Sequence, residues 1–563
     1  MTILRTKKAN CKNCYKCVRN CPVKSIEVKD QQVHIIQNDC ILCGNCILTC
    51  PQDAKVVRND LEFVKNLVRG EQDVIASVAP SFIANYNVST FDGFKDILKK
   101  LGFSDAYETA KGAFLVKKEY EKLIAENTGK AIISSCCPTV VKLIQKYHPN
   151  TLENLAPVLS PMQIHGKLIK DAYPNAKVVF IGPCISKKDE IESYPGTIDM
   201  VLTFEEMNEW LEDEVIQIVN SEDTTSSKYL SRFFPMPGGI IKTMDTNTNY
   251  KYISVDGIEN CISALNDLEE GTLENCFIEM SACNGSCVNG PTNGKNKFNI
   301  IKAQMKVAEV ALNRETPCDY NLNSDITLYK EFERENNVVY QPPSKKEIAA
   351  ILKKIGKNSI SDELNCGTCG YDTCKEKAIA VYFGKAELSM CLPYMRSKAE
   401  SFSSKIINAT PNAILAVDMD LRIKMINIAA CKIFGLSKSE DIIGVPVSRI
   451  MDEFDFVNII TKEENRISKR VYLAEYEKYV DEILVYDENS QLVICVMQDI
   501  TKQQIKNERI LASKNNAKDI ADKILEKQMG IVHEIASLLG ETTAETQVAL
   551  NELKNTMFEE EDY

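Results

Sequence analysis

Ser135-Cys136-Cys137-Pro138, Gly182-Pro183-Cys184-Ile185-Ser186-Lys187 and Ala282-Cys283-Asn284-Gly285-Ser286-Cys287 are the stretches on which the reading of this chain turns. Cys137, Cys184, Cys283 and Cys287 come from segments far apart in sequence, so a common site for them requires a preformed interior cage. Soft thiolates favour iron–sulfur clusters or zinc. A cubane gathered from such distant segments is a centre for chemistry.

Two more cysteine groups flank this region. Cys11, Cys14, Cys17 and Cys21-Pro22 are followed by Cys40, Cys43, Cys46 and Cys50-Pro51, the same C-x2-C-x2-C-x3-C-P run twice. In this repeat the fourth cysteine of each run crosses to the other cluster. The expected sets are Cys11, Cys14, Cys17 and Cys50 for one [4Fe-4S] cluster, and Cys40, Cys43, Cys46 and Cys21 for the second; paired zinc knuckles are the competing reading. Downstream, Cys366, Cys369, Cys374 and Cys391-Leu392-Pro393 offer a further [4Fe-4S] site, with a helix over Lys375 to Leu388 returning Cys391 to the others. Structural zinc is the alternative there. This segment resembles the small [4Fe-4S] domain of corrinoid-linked proteins and membrane electron-transfer subunits.

The remainder fits a redox protein of several domains. The chain has 563 residues, 22 cysteines and a net charge of -12. Its opening Met1-Thr2-Ile3-Leu4-Arg5 shows no apolar signal region, and no run is long enough to span a membrane. A cytoplasmic protein is expected, with cysteines as metal ligands rather than disulfides, and with neither nucleic acid nor membrane as partner.

The three opening contexts resemble the three signature segments of the iron-only, or [FeFe], hydrogenases, over roughly residues 75 to 320. The resemblance implies an H-cluster: a [4Fe-4S] cubane on Cys137, Cys184, Cys283 and Cys287, joined, here through Cys287, to a diiron unit with CO, CN and a bridging dithiolate. It also implies proton transfer at Cys136, a cyanide-binding role for Lys187, a relay role for Glu190, and a pocket lined by Ala79-Pro80-Ser81. Departures from the pattern are Gly182 and Ser281 where methionines are usual, Gly238-Gly239-Ile240-Ile241-Lys242-Thr243, and Thr139-Val140. Ala156-Pro157 stands where the usual proton route has serine, and Glu119 and Glu121 align poorly with its other glutamate. Slow turnover is expected, with His148 and His165 as candidates for a detour. Cys261, Cys276 and Cys318 read as plain buried thiols.

Residues 402 to 500 run helix, strand (413–418), strand (423–427), helix ending near Phe434-Gly435, then strands at 469–473, 479–486 and 492–498. With Asn427 and the exit Asp499-Ile500-Thr501, this resembles a PAS sensor domain; it contains no histidine and shows no flavin-reactive motif around Cys431 or Cys495. Beyond it, Ile510, Ala517, Ile524, Ile531 and Leu538 recur every seven residues, a seam for a parallel two-helix coil. A helix lying back on its own PAS domain is the alternative. His533-Glu534-Ile535 faintly resembles a phosphoacceptor box, but no ATP-binding domain follows. Glu559-Glu560-Glu561-Asp562 reads as a solvated tail.

The expected fold is multidomain α/β and α+β. Residues 1–60 form a ferredoxin-like two-cluster domain, 61–325 a two-lobed α/β hydrogenase-like core, 345–400 a [4Fe-4S] domain, 401–502 a PAS domain and 503–563 a signalling coil. These modules are expected along one electron path in an anaerobic sensory hydrogenase that slowly interconverts H2 with protons and electrons. Expected partners are a redox protein such as ferredoxin, a downstream kinase or phosphatase, and a second copy in a homodimer. The alternatives are a non-catalytic, assembly-type relative lacking the diiron unit and a purely redox-responsive sensor.

Overall fold

The computed structural model describes residues 2–86, 90–126, 129–216, 230–246, 249–293, 299–311, 326–335, 341–461, 466–539 and 544–558. Cys318, the acidic tail and the side chain of Leu538 lie outside the described residues. The chain divides into two compact units, Met1–Met395 and Arg396–Tyr563.

The first unit begins with the cysteine repeat. Leu4–Thr6 pairs antiparallel with Lys55–Val57, and Ile26–Lys29 with Gln32–Ile35. The repeat is visible in the backbone, because each run places its third cysteine on a four-residue helix that follows a left-handed residue. Lys16–Arg19 follows Tyr15 (φ 55°), and Asn45–Leu48 follows Gly44 (φ 79°). At Gly44 a side chain is also excluded sterically, since a Cβ there stands 2.5 Å from Pro291 Cβ.

The core has two parallel sheets. One runs Asp105–Glu108, Val74–Val78, Lys177–Gly182, Met200–Thr203, and the other Lys251–Asp256, Cys276–Ser281, Ile132–Ile133. Val74–Val78 is buried at every position, as expected of a strand covered on both faces. Parallel strands require crossovers, which the helices supply; Ala110–Glu126 buries Phe114, Leu115, Tyr120 and Ile124.

The small cysteine module differs from its expected form in two ways. Its helix spans Cys374–Tyr382 rather than continuing to Leu388, because Gly384 turns left-handed (φ 69°) and Lys385 N closes back on Ala380 O at 2.8 Å. Cys391 is instead delivered after the short turn Leu388–Met390. The module also packs on the N-terminal repeat, so the order of modules in space is not their order in the chain. Val28 N donates to Lys385 O at 2.9 Å, and Lys385 pairs with Asp39 at 2.6 Å.

In the second unit a five-stranded antiparallel sheet runs Ile423–Ile426, Ala413–Val417, Leu492–Asp499, Lys478–Asp487, Arg466–Leu473. These strands match the alternation seen in the sequence. Asn427 caps the helix Ile428–Ile433 by accepting from Ala430 N at 2.8 Å, and its amide donates to Ile407 O and Asn412 O. At the exit, Tyr479 N donates to Thr501 Oγ1 at 3.0 Å, fastening the start of the helix Thr501–Leu539 to the sheet. A second helix, Ala544–Phe558, follows, with Lys554 paired to Asp522 at 2.8 Å. Ile510, Ile524 and Ile531 are exposed. No described helix is long and apolar enough to cross a membrane.

Candidate metal centre

Parallel α/β sheets bind ligands beyond the carboxyl ends of their strands, and the chemistry-bearing residues of the core lie there. Cys136 and Cys137 follow Ile132–Ile133, Cys184 follows Lys177–Gly182, and Cys283 and Cys287 follow Cys276–Ser281. Ala79-Pro80-Ser81 follows Val74–Val78. Two sheets thus contribute to one site, which explains why its ligands are scattered in sequence.

The four core thiols are near enough to act on one another. The charges of Cys184, Cys287 and Cys137 all act on Cys283, and those of Cys137 and Cys184 on Cys287. Burial pushes the Cys184 thiol up to about 11. Cys43 also acts on Cys283, so the second set of the N-terminal repeat adjoins the core site.

The crossed pattern read from the repeat is present in space. Cys17 is influenced by Cys11, Cys14 and Cys50, and these four line one cavity. Cys21 and Cys40 act on both Cys43 and Cys46. Cys366, Cys369, Cys374 and Cys391 line a further cavity together with Tyr371 and Lys377. Lys377 is buried there, with Nζ donating to Glu387 O at 2.7 Å, and its ammonium complements the negative thiolates. In these two cavities the cysteines ring a space. Rings of this kind fit iron–sulfur clusters.

Around the core thiols the structure gathers most of the expected pocket. Lys187 Nζ donates to Glu190 Oε2 at 2.6 Å and to Ser160 Oγ at 3.0 Å. Burial works against its charge, but Glu190, together with Cys184 and Cys136, outweighs this and holds the ammonium above its usual range. Lys187 in turn acts on Cys136, Cys184 and Cys287. Burial pushes the Cys136 thiol up to about 12, against a hydrogen bond with Tyr120 Oη at 3.2 Å. Ser81 Oγ and Ser186 Oγ are buried without a hydrogen-bond partner among the described residues. Such orphaned hydroxyls call for a polar occupant, so the pocket fits a polar inorganic group beside the thiols.

The departures have visible consequences. A Cβ at Gly182 meets the Phe180 ring at 2.7 Å, so this ring occupies the room a methionine needs. Ser281 Oγ lies 2.7 Å from Ser286 Oγ, a polar contact in place of a thioether. Ala156 is buried, with its N–H given to Ile133 O at 2.9 Å.

His148 and His165, the candidates for a detour, are engaged with other partners. His165 Nδ1 lies 2.7 Å from Ser77 Oγ, which bonds Thr109, and burial pushes this ring down to about 3. His148 faces Glu269 at 3.4 Å. Glu119 contacts Lys122 and Tyr329, while Glu121 accepts from Asp245 N. Sequence reading missed Tyr120 and Ser135. Tyr120 Oη reaches both Cys136 Sγ and Ser135 Oγ at 3.2 Å, and Ser135 lines a cavity with Ser160, Gln163, Asp189 and Glu190. A buried tyrosine on a helix facing a Ser-Cys-Cys segment carries no sequence signal of its own.

Comparison with known proteins finds four matching regions. Residues 72–291 match the family described as iron only hydrogenase large subunit, C-terminal domain; residues 3–51 match a 4Fe-4S dicluster domain, 362–393 a putative Fe-S cluster family and 401–469 a PAS domain. Iron hydrogenase 1 of Clostridium pasteurianum is 26% identical over 306 residues, covering 43% of this chain and 53% of that protein. The cytosolic Fe-S cluster assembly factor NAR1 of Saccharomyces cerevisiae is 27% identical over 215 residues, covering 32% of this chain and 44% of its own length. The chain therefore spans about half the length of these relatives. A solved variant of [FeFe]-hydrogenase HydA1 from Chlamydomonas reinhardtii aligns with a TM-score of 0.40 at 14% identity, covering 49% of this chain and 99% of that one. One chain thus carries the C-terminal domain of an iron-only hydrogenase large subunit together with a 4Fe-4S dicluster domain and a PAS domain.

Proposed function

We propose that this protein is a hydrogen-responsive [FeFe] hydrogenase of low turnover whose redox state is read by its PAS domain. The observation that carries the reading is Lys187: a buried ammonium, held charged by Glu190, whose field falls on Cys136, Cys184 and Cys287. A centre consisting of a cubane alone has no evident use for this cation and a paired thiol. A diiron group bound beside Cys287 would supply the hydrogen chemistry, H2 = 2 H+ + 2 e-. Lys187 would donate to an anionic ligand there, and Ser81 and Ser186 would offer their hydroxyls.

Protons would pass at Cys136 Sγ, to Tyr120 Oη and Ser135 Oγ, and then through the cavity toward Glu190. Relay groups must lie within hydrogen-bond reach or one water apart, and Tyr120 bridges where Ala156-Pro157 cannot. Electrons would leave by Cys43 of the adjoining repeat, to a partner of ferredoxin type or toward the PAS unit and a downstream kinase or phosphatase.

Infrared spectra of anaerobically maturated protein test this reading, since metal-bound CO and CN bands are expected and their absence overturns it. Tyr120→Phe should leave those bands in place and lower hydrogen turnover by roughly a hundredfold, at the lower end of what a positioned proton-transfer group contributes. Equal turnover would place the proton route elsewhere. Missing bands would favour the assembly-type reading, for which the likeness to NAR1 and the altered positions Gly182 and Ser281 speak.

A further inference from the structure

The face by which the small cysteine module packs on the N-terminal repeat is closely fitted. Arg19 Nε donates to Gly367 O at 3.2 Å and its Nη2 to Thr368 O at 3.4 Å. Lys24 Nζ donates to Gly370 O at 3.2 Å. Gly370 itself is left-handed (φ 91°), and a Cβ there stands 2.9 Å from Val18 Cβ, so the Val18 side chain packs directly on the glycine backbone. Beside this contact, Tyr371 shares one buried cluster with Val18, Cys21 and Cys369.

Tyr371 has an unusual polar end. Its side chain is 3% exposed, it lines the cavity ringed by Cys366, Cys369, Cys374 and Cys391, and its hydroxyl has no hydrogen-bond partner among the described residues. A buried O–H without an acceptor is costly. Cys369 and Cys21 both act on this tyrosine, Cys369 the more strongly, so a cluster sulfur on the Cys369 side is the acceptor the site offers.

We infer that Tyr371 is the electron junction of this protein: its ring joins the site of Cys21, Cys40, Cys43 and Cys46 to the site of Cys366, Cys369, Cys374 and Cys391, and its hydroxyl donates to the latter. One electron leaves the first site, oxidising it by one unit, and reduces the second by one unit, with no bond made or broken. The small cysteine module therefore samples the dicluster domain rather than the hydrogen site directly. This deepens the proposed function but does not need hydrogen chemistry, because any low-potential reductant of dithionite type can load the first site.

The test uses full-length protein reconstituted with iron and sulfide, reduced with dithionite and examined by low-temperature EPR. The third cluster's signal, identified as the one missing from Cys366→Ala protein, should be split by a neighbouring spin. Gly370→Leu, whose side chain must displace Val18, should lose that splitting. Tyr371→Phe should keep it while moving the third cluster's midpoint potential negative, because hydrogen bonds to sulfur raise cluster potentials. A purely structural tyrosine would leave that potential where it was. An unsplit wild-type signal, or an unchanged midpoint in Tyr371→Phe, overturns the inference. Either result leaves the infrared test of the hydrogen site standing, and failure of that test leaves this one standing.

Discussion

Glu279 shows what a single buried carboxyl does in this core. It lies on Cys276–Ser281, accepts from Ile241 N at 3.0 Å, and is pushed by burial from 4.5 up to about 7. A carboxyl raised in the folded state stabilises below its unfolded value and loses that contribution as pH rises through about 7. Glu279→Gln should therefore flatten the fall in melting temperature of the cluster-free protein between about pH 5 and pH 8, an effect of roughly 3 kcal/mol at most. Thermal unfolding of both proteins across that range checks it. Cys366 moves the opposite way from Cys369: hydrogen bonds from Thr368 lower its thiol, while burial raises that of Cys369. In cluster-free protein near neutral pH, iodoacetamide should label Cys366 well before Cys369, as mass spectrometry would show; equal labelling would contradict the assignment.

Among the elements, the helix Ser186–Ser193 carries the most. It presents Lys187 to the thiols and Lys188 to the opposite side, where Nζ reaches Asp60 Oδ2 and Glu206 Oε1, both at 2.7 Å, and Arg58 O at 2.9 Å. That triad ties the segment leaving the N-terminal repeat to the helix holding the candidate pocket. Lys188→Met leaves buried Glu206 without its cation, while Asp60 keeps Arg58 at 2.9 Å, and should cost about 3–5 kcal/mol. Adding Glu206→Gln should recover part of it in the same unfolding measurement. Elements with a strict local pattern were legible in the sequence, as in the PAS-like strands with their alternation and the cysteine runs with their spacing. The crossing of Cys21 and Cys50 was legible because the run occurs twice. Tyr120, Ser135, Lys188 and Tyr371 were not, since each acquires its role only through a partner distant in sequence. The overlong helix expected to Leu388 shows the same limit, its stop set by the conformation of Gly384.

At the scale of the molecule, the helix Thr501–Leu539 leaves a seam of Ile510, Ile524 and Ile531 in water, at 46%, 56% and 41% exposure. Pairing with a second copy would bury it, at about 25 cal/mol for each Å² of apolar surface removed. Sedimentation should therefore find a dimer, and Ile524→Asp with Ile531→Asp should shift it to monomer; a monomeric parent chain would sink the coil reading. The seating of Gly370 on Val18 bears on how such a protein can be rebuilt. Transplanting residues 341–563 onto another enzyme's core would strand their cluster, because the socket it needs is encoded some 350 positions upstream. Any working graft must carry the small cysteine module and the N-terminal repeat together, so the two behave as one heritable part.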